Sequence, residues 1–157
     1  MRRRLVAVMV VWAGAGCGGK DRGGSASPPA AAAASDLTPF QLEHGIGPVT
    51  EVVTLGALDK SLADSGQVVF GAKCTACHKI AEKYIGPALG EVLTRRSPTY
   101  VMNMILNPNE MVERHPVAKQ LLAEAMTLMA NQGLTTGEAR AVVEYFRTQA
   151  TGTVKTQ

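Results

Sequence analysis

Large rings are scarce in this chain. Phe, Trp and Tyr make up 4% of its 157 residues, and the one tryptophan, Trp12, falls in an N-terminal stretch expected to be removed. A core built from the three Tyr and three Phe that remain is thin. Cysteine is scarcer still, at three residues, and none follows Cys77. A tetrahedral zinc site would need a second C-x-x-C or an H-x-x-x-H, which excludes that use of the pair. No run of about 20 apolar residues occurs, so no segment is expected to cross a membrane as a mature helix. Excess positive charge is also missing: from Asp36 to Gln157 eleven Lys and Arg face twelve Asp and Glu, a net charge of −1. The formal +3 of the whole chain owes much to Arg2, Arg3 and Arg4. A domain so balanced offers no basic face to nucleic acid.

What the chain does have is Cys74-Thr75-Ala76-Cys77-His78. Two thiols three positions apart can add across the two vinyl groups of one haem, and the imidazole that follows then falls under the iron as its proximal ligand. The pentapeptide therefore reads as a c-type haem attachment site. The alternative, a redox dithiol, belongs in a βαβ context that is not visible here. A covalent haem also supplies the apolar mass that the missing aromatics do not, so folding is expected to depend on it. A proximal histidine needs an acceptor on its other ring nitrogen. The rigid Gly86-Pro87 turn can offer a carbonyl.

Residues 1–17 combine a basic start, an apolar run from Leu5 to Ala13 and small residues ending at Cys17, the pattern of an export signal. Two cleavage readings stand. Ala13-Gly14-Ala15 is an A-x-A site that releases a soluble periplasmic protein. Ala15-Gly16-Cys17 resembles the end of a bacterial lipoprotein box, with Gly14 where Leu is usual and Cys17 as the acylated first residue. Lipidation gives the third cysteine a role, which favours a domain anchored by lipid on the periplasmic side of a membrane. Residues 18–35, rich in Gly, Ser, Pro and Ala, read as a flexible linker. They would span roughly 20 to 25 Å.

Residues 36–59, punctuated by Pro39, Gly45, Gly47, Pro48 and Gly56, read as an extended arm, with a short strand in the β-branched run around Val49 to Leu55. His44 in this arm is taken as a surface or hydrogen-bonding residue rather than a ligand. A helix is expected from about Lys60 to Lys73, and Gly66 inside it implies the close approach of another helix. Ser97 caps a helix from Pro98 to Leu106, which Asn107-Pro108 stops. A further helix runs from Pro116 to about Ala125. Thr135-Thr136-Gly137-Glu138 is a capping box that opens the last helix, with Ala139, Val142, Val143 and Phe146 on one stripe. The cofactor domain is placed at 60–150, and residues 151–157 are read as a disordered tail.

Iron held by one histidine leaves a sixth position open, and its occupant separates an electron carrier from a ligand sensor or small haem enzyme. Five methionines follow the motif. Met102 and Met104 sit on the Pro98 helix and read as core filler. Met126 and Met129, in the irregular stretch before the last helix, are the candidates, with Met111 behind them.

From about Gly66 to Thr148 the chain resembles a class I cytochrome c. The resemblance implies an all-α fold, with crossed N- and C-terminal helices around one covalent haem c, here preceded by the arm. It carries Cys74 and Cys77 as thioether cysteines, His78 as proximal iron ligand and Pro87 as the residue whose carbonyl supports it. Gly66, Phe70 and Tyr145 match the crossed helix pair. Met129-Ala130-Asn131-Gln132-Gly133-Leu134 resembles the M-P-N-Q-x-L form of bacterial members, with Ala130 in place of Pro, which favours Met129 over Met126. The implied function is single-electron transfer to or from a membrane quinol-oxidising complex, a terminal oxidase or a reductase. From Leu42 onward the pattern is also similar to small lipoprotein cytochromes that accompany respiratory reductases, including nitrous oxide reductase systems.

Overall fold

The computed structural model describes residues 36–154, and the regular elements among them are all helical. They are α1 (Pro39–His44), α2 (Lys60–Lys73), α3 (Val92–Arg95), α4 (Pro98–Leu106), α5 (Pro108–Arg114), α6 (Pro116–Ala125) and α7 (Thr136–Gln149). The export signal, the linker and Cys17 lie outside the described residues, as do residues 155–157.

Helices α2 and α7 form the crossed pair. The Asp59 carboxylate caps α2 by accepting from the Leu62 N–H at 3.0 Å. On α7, Thr135 and Glu138 cap each other's backbone as the sequence predicts. The buried faces are Ala63, Gly66 and Phe70 on α2 and the expected Ala139, Val142, Val143, Phe146 stripe on α7. At the crossing the two backbones touch: a Cβ on residue 66 would stand 1.9 Å from the carbonyl oxygen of Ala141. Phe70 then fills the space beyond, its ring 5.5 Å from Tyr145 and 5.6 Å from Phe146.

A buried carboxylate locks this pair to the preceding chain. Glu144 is fully enclosed, accepts the Asp59 N–H at 2.9 Å and is paired with both Arg140 and Arg147. Desolvation pushes its carboxyl up, but the Asp59 N–H and the two guanidiniums outweigh it and hold the group below the ordinary range. Arg147 also donates to the Gly56 carbonyl at 2.8 Å.

Helix α4 is the hub, with seven of its nine residues buried. Val101, Met102 and Ile105 join a core with Phe70, Leu93, Val142 and Phe146, while Tyr100 belongs to a second core with Leu37, Ile46, Met111 and Ala118.

Several expectations are corrected. The 36–59 segment is not simply an extended arm, because Thr38 and Gln41 form a capping box and Pro39 opens α1. No strand forms around Val49 to Leu55. The backbone there pairs with side chains of α4 instead: the Val49 N–H donates to Asn103 Oδ1, the Val53 N–H to Thr99 Oγ1, and the Asn103 amide donates to the carbonyls of His44 and Val49. These bonds satisfy groups that a ladder would otherwise serve. Asn107-Pro108 does end α4, yet Pro108 at once opens α5, since a fixed φ suits a first helical position. The short α3 was not expected. The chain beyond 150 begins pinned, for Thr151 donates from both its N–H and its hydroxyl to Glu91 Oε1. His44 is buried and lies 2.8 Å from Ser97 Oγ through Nδ1, the ordinary hydrogen-bonding role.

Candidate cofactor site

The Cys74–His78 pentapeptide is one further turn wound on the end of α2. Cys74 is the C-cap, and its carbonyl accepts from the N–H groups of Cys77 and His78 at 3.1 and 2.9 Å. The following loop folds back through Gly86 N–H to Cys77 O at 2.8 Å and Gly90 N–H to Ile80 O at 2.8 Å. That closure delivers the Pro87 carbonyl 3.1 Å from His78 Nδ1. It also lays Gly86 against the imidazole, where a Cβ would stand 2.3 Å from Cε1. Glycine at 86 is thus required by the ring.

Cys74, Cys77 and His78 line one wall of a cleft of about 1230 Å³, counting its open side. Its floor comes from Tyr100, Val101, Met104 and Ile105 of α4, its far wall from Leu121, Leu122 and Ala125 of α6 and from Thr127 to Ala130. The surface is almost wholly apolar and no Asp or Glu lines it. A flat macrocycle bound to both thiols fits walls of this kind, and one buried polar atom awaits a partner there: the hydroxyl of Tyr100 makes no hydrogen bond.

Two competing chemistries find no support. Among the described residues no cluster of three or more His, Cys, Asp or Glu exists to hold a zinc ion. Burial pushes the Cys74 thiol up, whereas a redox dithiol relies on a depressed one.

Of the methionines, Met129 lines the cleft. Its loop is tied down where Asn131 Nδ2 donates to the Leu106 carbonyl at 3.2 Å and Asn131 Oδ1 accepts from the Gly133 N–H at 2.8 Å. Met126 caps α6 in the left-handed region at φ 51° with its side chain 88% exposed, so it does not reach the cleft. Met111 is fully buried elsewhere, its sulfur accepting the Ile46 N–H at 3.0 Å. Met102 is core filler as expected, whereas Met104 also lines the cleft. Tyr100 escaped the sequence reading, as did the part that Leu121, Leu122 and Ala125 of α6 play in lining the cleft. Tyr100, as the one aromatic on α4, carried a signal that went unused.

The family model described as Cytochrome c matches residues 63–150. The chain is 38% identical over 60 residues to a cytochrome c-553-like protein of Synechocystis sp., an alignment that spans 38% of this chain and 53% of that protein, so it covers about half of this relative. Among solved structures it is similar to a cytochrome c from Rhodothermus marinus, at 48% identity and a TM-score of 0.67, over 72% of this chain and 97% of the other. An engineered form of that cytochrome, bound to a carbene intermediate, is 47% identical with a TM-score of 0.65, over 73% of this chain and 100% of the other.

Proposed function

The chain belongs to the cytochrome c family, whose cofactor is a covalently bound haem c, and we propose that it is a periplasmic single-electron carrier with His78 and Met129 on the iron. When bound, the haem supplies the one-electron iron(II)/iron(III) couple. His78 donates from Nδ1 to the Pro87 carbonyl, which leaves Nε2 as the ligating nitrogen and raises its basicity. Met129 offers a thioether from elsewhere on the same cleft. The observation that carries the reading is this meeting, around one apolar cleft, of the C-x-x-C-H turn and a methionine on a tethered loop. A thioether in that place would raise the potential and keep exogenous ligands out, as suits an electron carrier.

Lys73, Lys79, Lys83, Arg95 and Arg96 surround the motif in sequence and would steer an acidic face of a redox partner, such as a quinol-oxidising complex or a terminal reductase. Lipid on Cys17, followed by the 18–35 linker, would hold the domain at a membrane surface.

An optical and potentiometric titration of haem-matured protein tests the ligand set. Met126→Ala should leave the weak red charge-transfer band of sulfur-bound iron(III) and the potential in place. Met129→Ala should abolish the band, lower the potential and open the reduced iron to carbon monoxide. A Met129→Ala protein that keeps the band refutes the assignment. Mass spectrometry of membrane-extracted protein, showing either a diacylglyceryl group on Cys17 or an unmodified soluble form, decides the anchor.

A further inference from the structure

We propose that Lys83 is a positioning residue for the axial sulfur: a cation on the loop that holds His78, clasping the end of the helix that leads to Met129. The inference rests on the haem and Met129 reading above. Lys83 Nζ donates to the Glu124 carbonyl at 3.4 Å, a contact between residues 41 positions apart. The two partners belong to different walls of the cofactor cleft. Lys83 is mounted on the loop that Gly86 N–H closes onto the Cys77 carbonyl and Tyr84 N–H onto that of Gly86 at 3.1 Å, the loop that delivers the Pro87 carbonyl to His78. Glu124 lies in the last turn of α6, whose Leu121, Leu122 and Ala125 form the far wall. Beside the contact opens a smaller cavity lined by Lys83, Pro87, Leu121, Glu124 and Ala125, and three of these, Pro87, Leu121 and Ala125, line the main cleft as well. The clasp therefore stands at an edge of the cleft.

Helix α6 is poorly finished at this end by its own residues. Its last four carbonyls have no partner within the helix. That of Leu122 accepts from the Met126 N–H, and Lys83 serves that of Glu124. No basic residue stands in the last turn, and Glu124 adds a negative charge there, its carboxylate turned to the Gln120 amide at 2.9 Å and in no ion pair among the described residues. The carbonyl end of a helix favours a cation and disfavours an anion. Lys83 brings the missing cation from the other wall. Immediately beyond, Met126 holds a φ of 51°, a left-handed conformation that is costly for a residue with a side chain. This turn is thus the first to unwind once its cation is withdrawn, and Met129 follows three residues later.

The clasp is exposed, so salt weakens it. Lys83 also belongs to the basic group that would steer a redox partner, and an assay without a partner separates the two roles. The test is the rate at which imidazole, a neutral ligand, displaces the sulfur from oxidised holoprotein, followed by loss of the red charge-transfer band at low and at high salt. Lys83→Gln should speed the displacement about two- to five-fold at low salt, the scale of one cation at a helix C-terminus. Lys83→Arg keeps the charge and should restore the wild-type rate. Salt should quicken the wild type and leave Lys83→Gln nearly unchanged. The control is Lys119→Gln, which removes the same charge from α6 at an exposed residue that makes no ion pair among the described residues. It should match the wild type.

Equal rates in wild type and Lys83→Gln overturn the inference. An equal acceleration in Lys119→Gln also overturns it, because the effect would then be one of net charge. Helical circular dichroism and haem absorbance check the fold of each variant. If Lys83→Gln holds no haem, the wild type alone decides, since a displacement rate indifferent to salt refutes the clasp without any substitution. Wild type that takes up imidazole as fast as Met129→Ala would refute the axial sulfur itself, a failure of the functional reading that no Lys83 variant is needed to see.

Discussion

Replacing Gly66 by alanine should damage this protein far more than the addition of one methyl suggests. A new Cβ would stand 1.9 Å from the Ala141 carbonyl oxygen and 2.4 Å from its carbon, so α2 and α7 must part for it to fit. The obstruction is backbone and cannot rotate aside, which puts the strain at or above the upper end of the roughly 1 to 3 kcal/mol usual for overpacking. Separation also loosens Phe70 against Tyr145 and Phe146, contacts of about 0.5 to 1.5 kcal/mol each. Alanine returns about 1 kcal/mol through its better helix propensity. The net loss is about 2 to 4 kcal/mol, or on the order of 10 to 20 °C in Tm for a domain of this size. Gly71, on the same helix, is the control: a Cβ there meets nothing within 4 Å, so Gly71→Ala should raise stability by about 0.5 to 1 kcal/mol. Guanidinium unfolding of the holoproteins, followed by circular dichroism and haem absorbance, measures both. Equal stability in the two variants would refute the claim that Gly66 exists to let the helices touch.

Acid should unfold the domain in two stages. Burial holds the His115 imidazole below its ordinary 6.5. The unfolded state therefore takes up its proton first, and stability present above about pH 6.5 declines as pH falls toward the folded value. His115→Asn keeps a capping side chain for α6 and should erase that limb. Glu144 supplies the second limb. Its folded carboxyl is held below the ordinary 4.5, so stability is lost as pH drops below that point, and Glu144→Gln should cost about 2 to 3 kcal/mol at pH 7 while flattening the limb. Equilibrium unfolding across pH reads both variants. Asn103→Ala strips partners from the Val49 N–H and from the carbonyls of His44 and Val49, and should cost about 2 to 4 kcal/mol in the same assay.

The elements most legible in the sequence were those whose signals are local. Ser97 and Thr135 accept from backbone amides within three residues, and the α7 stripe follows from the 3.6-residue period alone. The Cys74–His78 turn needs only five adjacent residues. What escaped depends on partners far along the chain. Nothing near Val49 reveals that its N–H is served by a side chain 54 positions away. The β-branched run there is held by side chains of α4 and does not become a strand. Pro108 reads locally as a stop, and whether it also starts α5 is decided by the burial of Met111 against Ile46 and Tyr100.

The same long-range pairings make residues 36–55 part of the cofactor site's support. Helix α4 presents Tyr100, Val101, Met104 and Ile105 to the cleft. From that helix Asn103 and Thr99 bind the N-terminal segment, as does Ser97 at its cap through His44. His115, at the head of α6, reaches the Leu42 carbonyl, and the Asn107 amide reaches that of Ile46. The segment thus ties α4, α5 and α6 together, and α4 and α6 each line that cleft. A packed wall transmits such bracing because interiors yield little to local strain. Loosening the segment should therefore be felt at the loop that carries Met129, which is fastened to the last carbonyl of α4 by Asn131. In Asn103→Ala the sulfur-to-iron charge-transfer band should bleach at lower guanidinium than the far-ultraviolet helix signal, with both transitions coincident in wild type. Coincident transitions in the variant as well would show that the segment adds stability to the domain as a whole without bracing the ligand loop.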